Sequence, residues 1–283
     1  MTTAAAETAR TFLFVPGDRP ERFDKAVAAG ADMVILDLED AVAPERKDQA
    51  RAQVRAWLAD GNRAVVRING VGTPWHVQDI AMLADCPGPL AAVMIPKAES
   101  SEQLAALAAA LPVGTGLIPL IETAAGVLEA RAVCAAPGVL RPAFGSVDLA
   151  AQLGIDHRPH AAFQHARSVL VLAAAAAGCA APVDGVTTDI TDEASLRTDL
   201  EHAVVLGFTG KLCIHPRQVA LANRYLSPSA TELEWARRVV AAGHDGSARA
   251  VDGQMIDRPV VLRAQAMLAR TSQYPIVPDR RVQ

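Results

Sequence analysis

Four cysteines, Cys86, Cys134, Cys179 and Cys213, are spread through 283 residues with no CxxC spacing. Free thiols in a reducing cytoplasm are therefore the expectation, and the cytoplasm is the expected location. A long apolar run is also missing. The longest uncharged stretch, 103–121, is broken by Pro112, Gly114, Gly116 and Pro119, and the Ala-rich run 168–183 falls short of the roughly 20 residues a spanning helix needs. No membrane span is expected. The first ten residues lack the basic-then-apolar order of a secretory signal. Cations are not in excess either: 27 Lys and Arg stand against 31 Asp and Glu. That balance argues against a general nucleic-acid binder. VPGDRPER is no GxGxxG, Ser146 lies in no GxSxG elbow, and the histidines form no HExxH. Dinucleotide binding, serine-hydrolase chemistry and a zincin site are therefore unsupported.

What the chain does have is apolar residues, 51% against 20% charged, at a length that buries about three quarters of the surface the unfolded chain exposes. Short β-branched or aliphatic runs alternate with longer Ala-rich ones. Strands are expected over 11–15, 33–38, 64–68, 91–95, 116–121, 141–145, 182–187 and 211–214, apolar on both faces as in a covered parallel sheet. Helices are expected over 20–29, 44–59, 100–110, 123–134 and 192–206. Pro20 and Pro44 suit first helical positions, and Ser100 with Gln103 forms a capping-box pattern. Eight strand–helix units count to a (β/α)8 TIM barrel over 11–226. An α-helical extension follows over 227–283, with helices at 231–242 and 260–269. The connector 244–259 between them has two glycines and no strong period, and it reads as mobile.

In such a barrel chemistry gathers at the C-terminal ends of the strands. Polar groups stand there in nearly every unit: Asp37, Glu39 and Asp40; Arg67 and Asn69; Lys97 and Glu99; Glu122; Ser146 and Asp148; Asp189; His215. The strand N-terminal ends show no comparable enrichment. A convergent ring of ionisable groups costs stability and marks a site. Glu122 and Asp148 follow adjacent strands, so their carboxylates can meet above the barrel, where a hard ion such as Mg²⁺ would relieve their repulsion. The same two residues also suit helix caps, and spacing alone leaves both readings open. Arg67 emerges from a buried strand and needs an anionic partner, either Asp37 or Glu39 from within or a substrate carboxylate from without. Lys97 carries the same two readings, weighted toward a rim salt bridge. His157, His160 and His165 read as solvated, and His215 either faces the site or orients the turn after it.

The segments FLFVPGDRPERFDKA, VILDLEDAVAP, VVRIN, MIPKAES, PLIETAAGV, FGSVDLA, CIHPRQV and DGQMIDRPVV, in this order, resemble the HpcH/HpaI aldolase–citrate lyase superfamily. They are most similar to stand-alone citrate lyase β-subunit-like proteins and to malyl-CoA and citramalyl-CoA lyases. The resemblance runs from about residue 11 to 270. It implies a (β/α)8 barrel and a Mg²⁺-dependent lyase that cleaves or forms short 3-hydroxyacyl-CoA thioesters, giving an acyl-CoA and a 2-oxo acid. By the same resemblance Glu122 and Asp148 hold the metal, Glu122 and Arg67 meet the 2-oxo acid, and Asp257 is the acid/base. The resemblance also implies that Asp257 reaches the site of a neighbouring subunit in a homotrimer or hexamer. The loop with Asp18, Arg19 and Arg22 is similar to one that helps receive coenzyme A in the family, Arg19 being the residue singled out. Without the resemblance, Asp257 reads only as a residue starting a turn or helix. Two other readings remain beside the lyase: an aldolase acting on free hydroxy-oxo acids, and a carrier-protein-binding subunit without turnover.

Overall fold

Eight short parallel strands close on themselves in the computed structural model, in chain order: β1 (Thr11–Pro16), β2 (Met33–Asp37), β3 (Val65–Arg67), β4 (Ala92–Ile95), β5 (Leu117–Ile121), β6 (Ala143–Phe144), β7 (Val183–Asp184) and β8 (Gly210–Cys213). Phe12 of β1 pairs with Met33 on one side and Leu212 on the other, so the sheet has no free edge. The structure describes residues 3–86, 90–243, 249–251 and 254–271. Chain contacts divide it into two compact units, 1–222 and 223–283.

The expected alternation holds because each strand is too apolar to face water on either side. Phe12, Ile35, Val65, Ala92, Met94, Ile118, Leu120, Ala143, Val183 and Leu212 form one buried cluster. Helix α1 (Thr3–Thr8) precedes β1, and between the strands run α2 (Phe23–Ala28), α3 (Lys47–Ala59), α4 (His76–Ala84), α5 (Ser101–Ala110), α6 (Ala124–Leu128), α7 (Ala130–Cys134), α8 (Ser146–Leu153), α9 (His160–Ala177) and α10 (Glu193–Leu206), with α11 (Pro216–Leu226) after β8. The start signals act in part as read: Ser100 Oγ accepts from Gln103 N, one half of a capping box, and Pro20 and Pro44 open single 3₁₀ turns that lead into α2 and α3. Among the described residues no helix is long and apolar enough to cross a membrane.

Several expectations shift. The strands over 141–145 and 182–187 shrink to two residues each, β6 and β7, which Pro142 and Pro182 precede and Gly145 and Gly185 follow. Proline contributes no N–H to a ladder and glycine weakens one. The single helix over 123–134 is two, divided at Glu129. The lower end of the barrel is also less bare of charge than expected. Arg10 pairs with Asp32 at 2.8 Å, and Arg141, fully buried, donates to the carbonyls of Glu7, Ala9 and Pro182 and to Thr209 Oγ1. Its guanidinium lies 5.8 Å from the Phe12 ring, tying α1 across the barrel's end. Arg141→Ala strips those buried acceptors of their donor and opens a void, so a loss of about 3 kcal/mol is expected in chemical denaturation.

In the second unit α12 (Ala230–Ala242) and α13 (Arg258–Thr271) pack through Ala236, Val239 and Ala264. Ser229 and Glu232 close a complete capping box at the start of α12. The connector does not stay irregular. Strands β9 (Arg249–Val251) and β10 (Gln254–Ile256) pair antiparallel, with Val251 opposite Gln254. The signal in the sequence is the Asp-Gly pair between them, the dipeptide that two-residue hairpins favour.

Candidate active site

Asp37 ends β2 with no solvent exposure, and a carboxylate in that position needs donors on both oxygens. Oδ1 accepts from Glu39 N at 2.9 Å and Arg67 Nε at 2.7 Å; Oδ2 accepts from Ala41 N at 3.1 Å and Arg67 Nη2 at 2.6 Å. Arg67 is thus clasped as a fork by an internal partner, which decides one of its two readings. Its Nη1 stands 3.0 Å from Glu39 Oε2 and 3.5 Å from Asp40 Oδ2, and the guanidinium lies 4.8 Å from the Phe14 ring centre. These carboxylates hold Arg67 charged well above the usual guanidinium range despite its burial.

Lys47, at the start of α3, was not legible as a site residue. Buried beside the Trp75 ring, its Nζ donates to the carbonyls of Leu38 and Glu39 at 2.7 Å each. It pins the loop that carries Glu39 and Asp40. Nothing in its spacing announces this, because the contact forms only when α3 folds back over the end of β2.

Glu122 follows β5 and is 2% exposed. Its Oε1 accepts from Lys97 N at 2.9 Å. Burial, then the charges of Asp148 and Glu39, push its carboxyl up to about 8. Neither carboxylate is a helix cap: Thr123 caps α6, and Asp148 lies within the first turn of α8, whose N-cap is Gly145. Asp148 faces the site instead: Lys97 Nζ is 3.8 Å from Asp148 Oδ1 and 3.2 Å from Glu39 Oε1. Lys97 thus makes the rim salt bridge that one of its two readings expects. Glu122, Asp148, Arg67, Asp37 and Asp40 line one cavity of about 390 Å³ with an apolar floor of Phe14, Leu120 and Phe144. A groove of about 640 Å³ between α3 and α4 is larger, but its wall is helix side chains on the barrel's outside.

Five carboxylates (Asp37, Glu39, Asp40, Glu122, Asp148) converge here on three cations (Arg67, Lys97, Lys47). When all are ionised, two negative charges are left over. Glu122 answers by holding its proton; a dication is the other answer. No cluster of three or more His, Cys, Asp or Glu suited to a metal occurs among the described residues. A pair of carboxylates opening on a cavity suits Mg²⁺, which keeps waters and substrate oxygens for its remaining positions.

The raised Glu122 carboxyl has a consequence for stability. Between its ordinary value of 4.5 and about 8 the folded chain retains a proton that the unfolded chain gives up. Without metal, stability is expected to fall as pH rises through that window and to level off above it. Melting curves in EDTA should show the slope in the parent and a flatter profile in Glu122→Gln.

Other predicted residues lie elsewhere. Arg19 is about half exposed, 4.0 Å from Asp18, whose other oxygen pairs with Arg46 at 3.0 Å; Arg22 sits against Glu21. These form the loop after β1. Asp189 is exposed and caps the turn before α10, while Glu99 is exposed. His215 accepts from Arg217 N and so orients the turn opening α11. His160 departs from the solvated reading: half-buried, it meets Asp199 at 2.7 Å and stacks on His202 at 4.2 Å. His157 bonds Thr188 Oγ1, and His165 is exposed. In the second unit Asp257 is exposed and opens α13, its Oδ1 accepting from Val260 N at 3.4 Å.

A family model described as HpcH/HpaI aldolase/citrate lyase matches residues 10–216. A citrate lyase subunit beta-like protein of Mycobacterium tuberculosis is 42% identical over 269 residues, covering 93% of this chain and 95% of the relative. A (3S)-malyl-CoA thioesterase of Cereibacter sphaeroides is 36% identical over 270 residues, covering 92% and 94%. The crystal structure of the protein CitE from Mycobacterium tuberculosis, in complex with magnesium, acetoacetate and coenzyme A, superposes with a TM-score of 0.80 at 40% identity, covering 94% of this chain and 99% of that one. With the closed barrel and the carboxylate-rich mouth, these likenesses run the length of the first unit: the chain belongs to the HpcH/HpaI aldolase/citrate lyase family.

Proposed function

We propose that this chain is a Mg²⁺-dependent carbon–carbon lyase that splits a short 3-hydroxyacyl-CoA thioester, such as citramalyl-CoA, malyl-CoA or citryl-CoA, into an acyl-CoA and a 2-oxo acid, and that joins them in reverse. The observation that carries the proposal is the carboxylate excess around Glu122 and Asp148 in a cavity that also presents Arg67. Support comes from the relative bound to magnesium, acetoacetate and coenzyme A.

Glu122 and Asp148 are the residues that hold the ion. When bound, Mg²⁺ supplies Lewis-acid polarisation of the oxygen on the carbon that becomes the keto carbon. Arg67, rigid against Asp37, orients the oxo acid's carboxylate, with Lys97 at the rim as a second cation. The apolar floor of Phe14, Leu120 and Phe144 keeps water from the reacting carbons. In condensation Asp257 takes a proton from the acyl-CoA carbon next to the thioester carbonyl. In cleavage the hydroxyl proton passes to water, the C–C bond breaks to leave the enolate, and Asp257 returns its proton to the enolate carbon. Asp257 belongs to the C-terminal extension 227–283, which we assign as a lid over a neighbouring subunit's site in a homotrimer or hexamer. Arg19 in the loop after β1 meets the coenzyme A phosphates.

The test is a screen of acyl-CoA formation and cleavage with pyruvate, glyoxylate and oxaloacetate, with and without Mg²⁺. Metal-dependent turnover with at least one acid is expected. Full turnover in metal-free protein ends the reading. Binding of a carrier protein without turnover favours a non-catalytic subunit.

A further inference from the structure

Two backbone features surround the Glu122 carboxylate. Lys97 is the single non-glycine among the described residues with a positive φ, +49°. Side chains adopt that region only at a cost, so something holds it there. In this conformation its N–H meets Glu122 Oε1 at 2.9 Å, while its ammonium reaches Glu39 and Asp148. Gly145, the residue before α8, donates its N–H to Ile121 O at 2.9 Å. A Cβ at this position would lie 2.4 Å from Glu122 Cβ and 2.7 Å from Glu122 Oε2, closer than real Cβ contacts come. Its φ is −107°, which any residue adopts, so the glycine is required for space and not for conformation. Asp148 stands three residues further on, in the first turn of the helix that Gly145 precedes.

We infer that Lys97 and Gly145 are positioning residues, forming a backbone seat that fixes the direction of the Glu122 carboxylate and sets it against Asp148. Oε1 is held by an amide that cannot rotate away, and Oε2 occupies the notch left by the missing side chain. A ligand carboxylate held by fixed donors meets its ion without reorganising. The inference deepens the proposed function, but its geometric part stands apart from the metal.

The test has two readouts. In metal-free crystals of Gly145→Ala, Glu122 Oε1 is expected out of hydrogen-bonding reach of Lys97 N; finding it still in place overturns the seat. In calorimetric titration with Mg²⁺, Gly145→Ala is expected to bind at least tenfold more weakly than the parent. Lys97→Gly deletes the ammonium but keeps the N–H and suits the left-handed backbone, so its Mg²⁺ affinity should stay within threefold of the parent or tighten. A tenfold loss in Lys97→Gly overturns the seat, because the ammonium and not the backbone would then be the support. That arm decides the matter if Gly145→Ala does not fold. A parent protein that binds no Mg²⁺, while Gly145→Ala still displaces Glu122, defeats the proposed function and leaves the seat standing.

Discussion

Glutamine in place of Glu122 is expected to slow carbon–carbon cleavage by about a thousandfold, roughly 4 kcal/mol of transition-state stabilisation. The amide is the same shape and its oxygen still accepts from Lys97 N, so packing around this 2% exposed side chain is preserved. What is lost is an anionic ligand. With five carboxylates around three cations, removing one negative charge also halves the excess that draws a dication into the cavity. The Mg²⁺ concentration for half-maximal activity should therefore rise together with the fall in kcat. Steady-state kinetics over a Mg²⁺ series reads both. A variant within tenfold of the parent at saturating Mg²⁺ would place the metal elsewhere.

Arg67→Met is expected to cost about 3–5 kcal/mol of stability, with near-complete loss of activity. Asp37 has no solvent exposure, and each of its oxygens has one bond to Arg67 and one to a backbone N–H. The methionine leaves that charge buried with half its donors. Pairing the change with Asp37→Leu removes the stranded charge. Most of the stability should then return while activity does not, because the guanidinium that orients the oxo acid is still missing. Arg67→Lys keeps a charge but not the two parallel bonds, and it should fall between the parent and Arg67→Met on both measures. Denaturation midpoints and kcat/KM across the four proteins separate the structural and chemical parts. A loss below 1 kcal/mol in Arg67→Met would show that Asp37 does not depend on its partner.

The barrel was legible because a parallel strand covered on both faces must be apolar on both, a pattern visible at Met33–Asp37 or Leu117–Ile121 without neighbours. The convergence of Glu122, Asp148 and Arg67 followed from strand order, since the last residues of successive parallel strands point to one end. Which partner holds Arg67 was not legible. Asp37, Glu39 and a substrate carboxylate are equivalent in charge, and only rotamers and burial choose among them. Lys47 escaped notice because a buried lysine bonded to carbonyls looks like any helix-start lysine until the loop beneath it is seen. The strands β6 and β7 are shorter than expected where proline and glycine overrule the hydrophobic run, and the ribbon of β9 and β10 is unexpected because its three-residue strands are too short to show a period. For Asp257 the local geometry is that of a helix start, and its chemical role rests on the family resemblance.

The most direct measurement is product analysis of a single turnover of citramalyl-CoA or malyl-CoA with Mg²⁺, resolving acyl-CoA, free CoA, 2-oxo acid and intact hydroxy acid. A lyase in which Glu122 and Asp148 hold the metal releases acetyl-CoA and pyruvate or glyoxylate in equal amounts, and releases neither when EDTA is present. Free CoA with the uncleaved hydroxy acid as the first products would mean that water attacks the thioester and the carbon–carbon bond stays whole, contradicting the account.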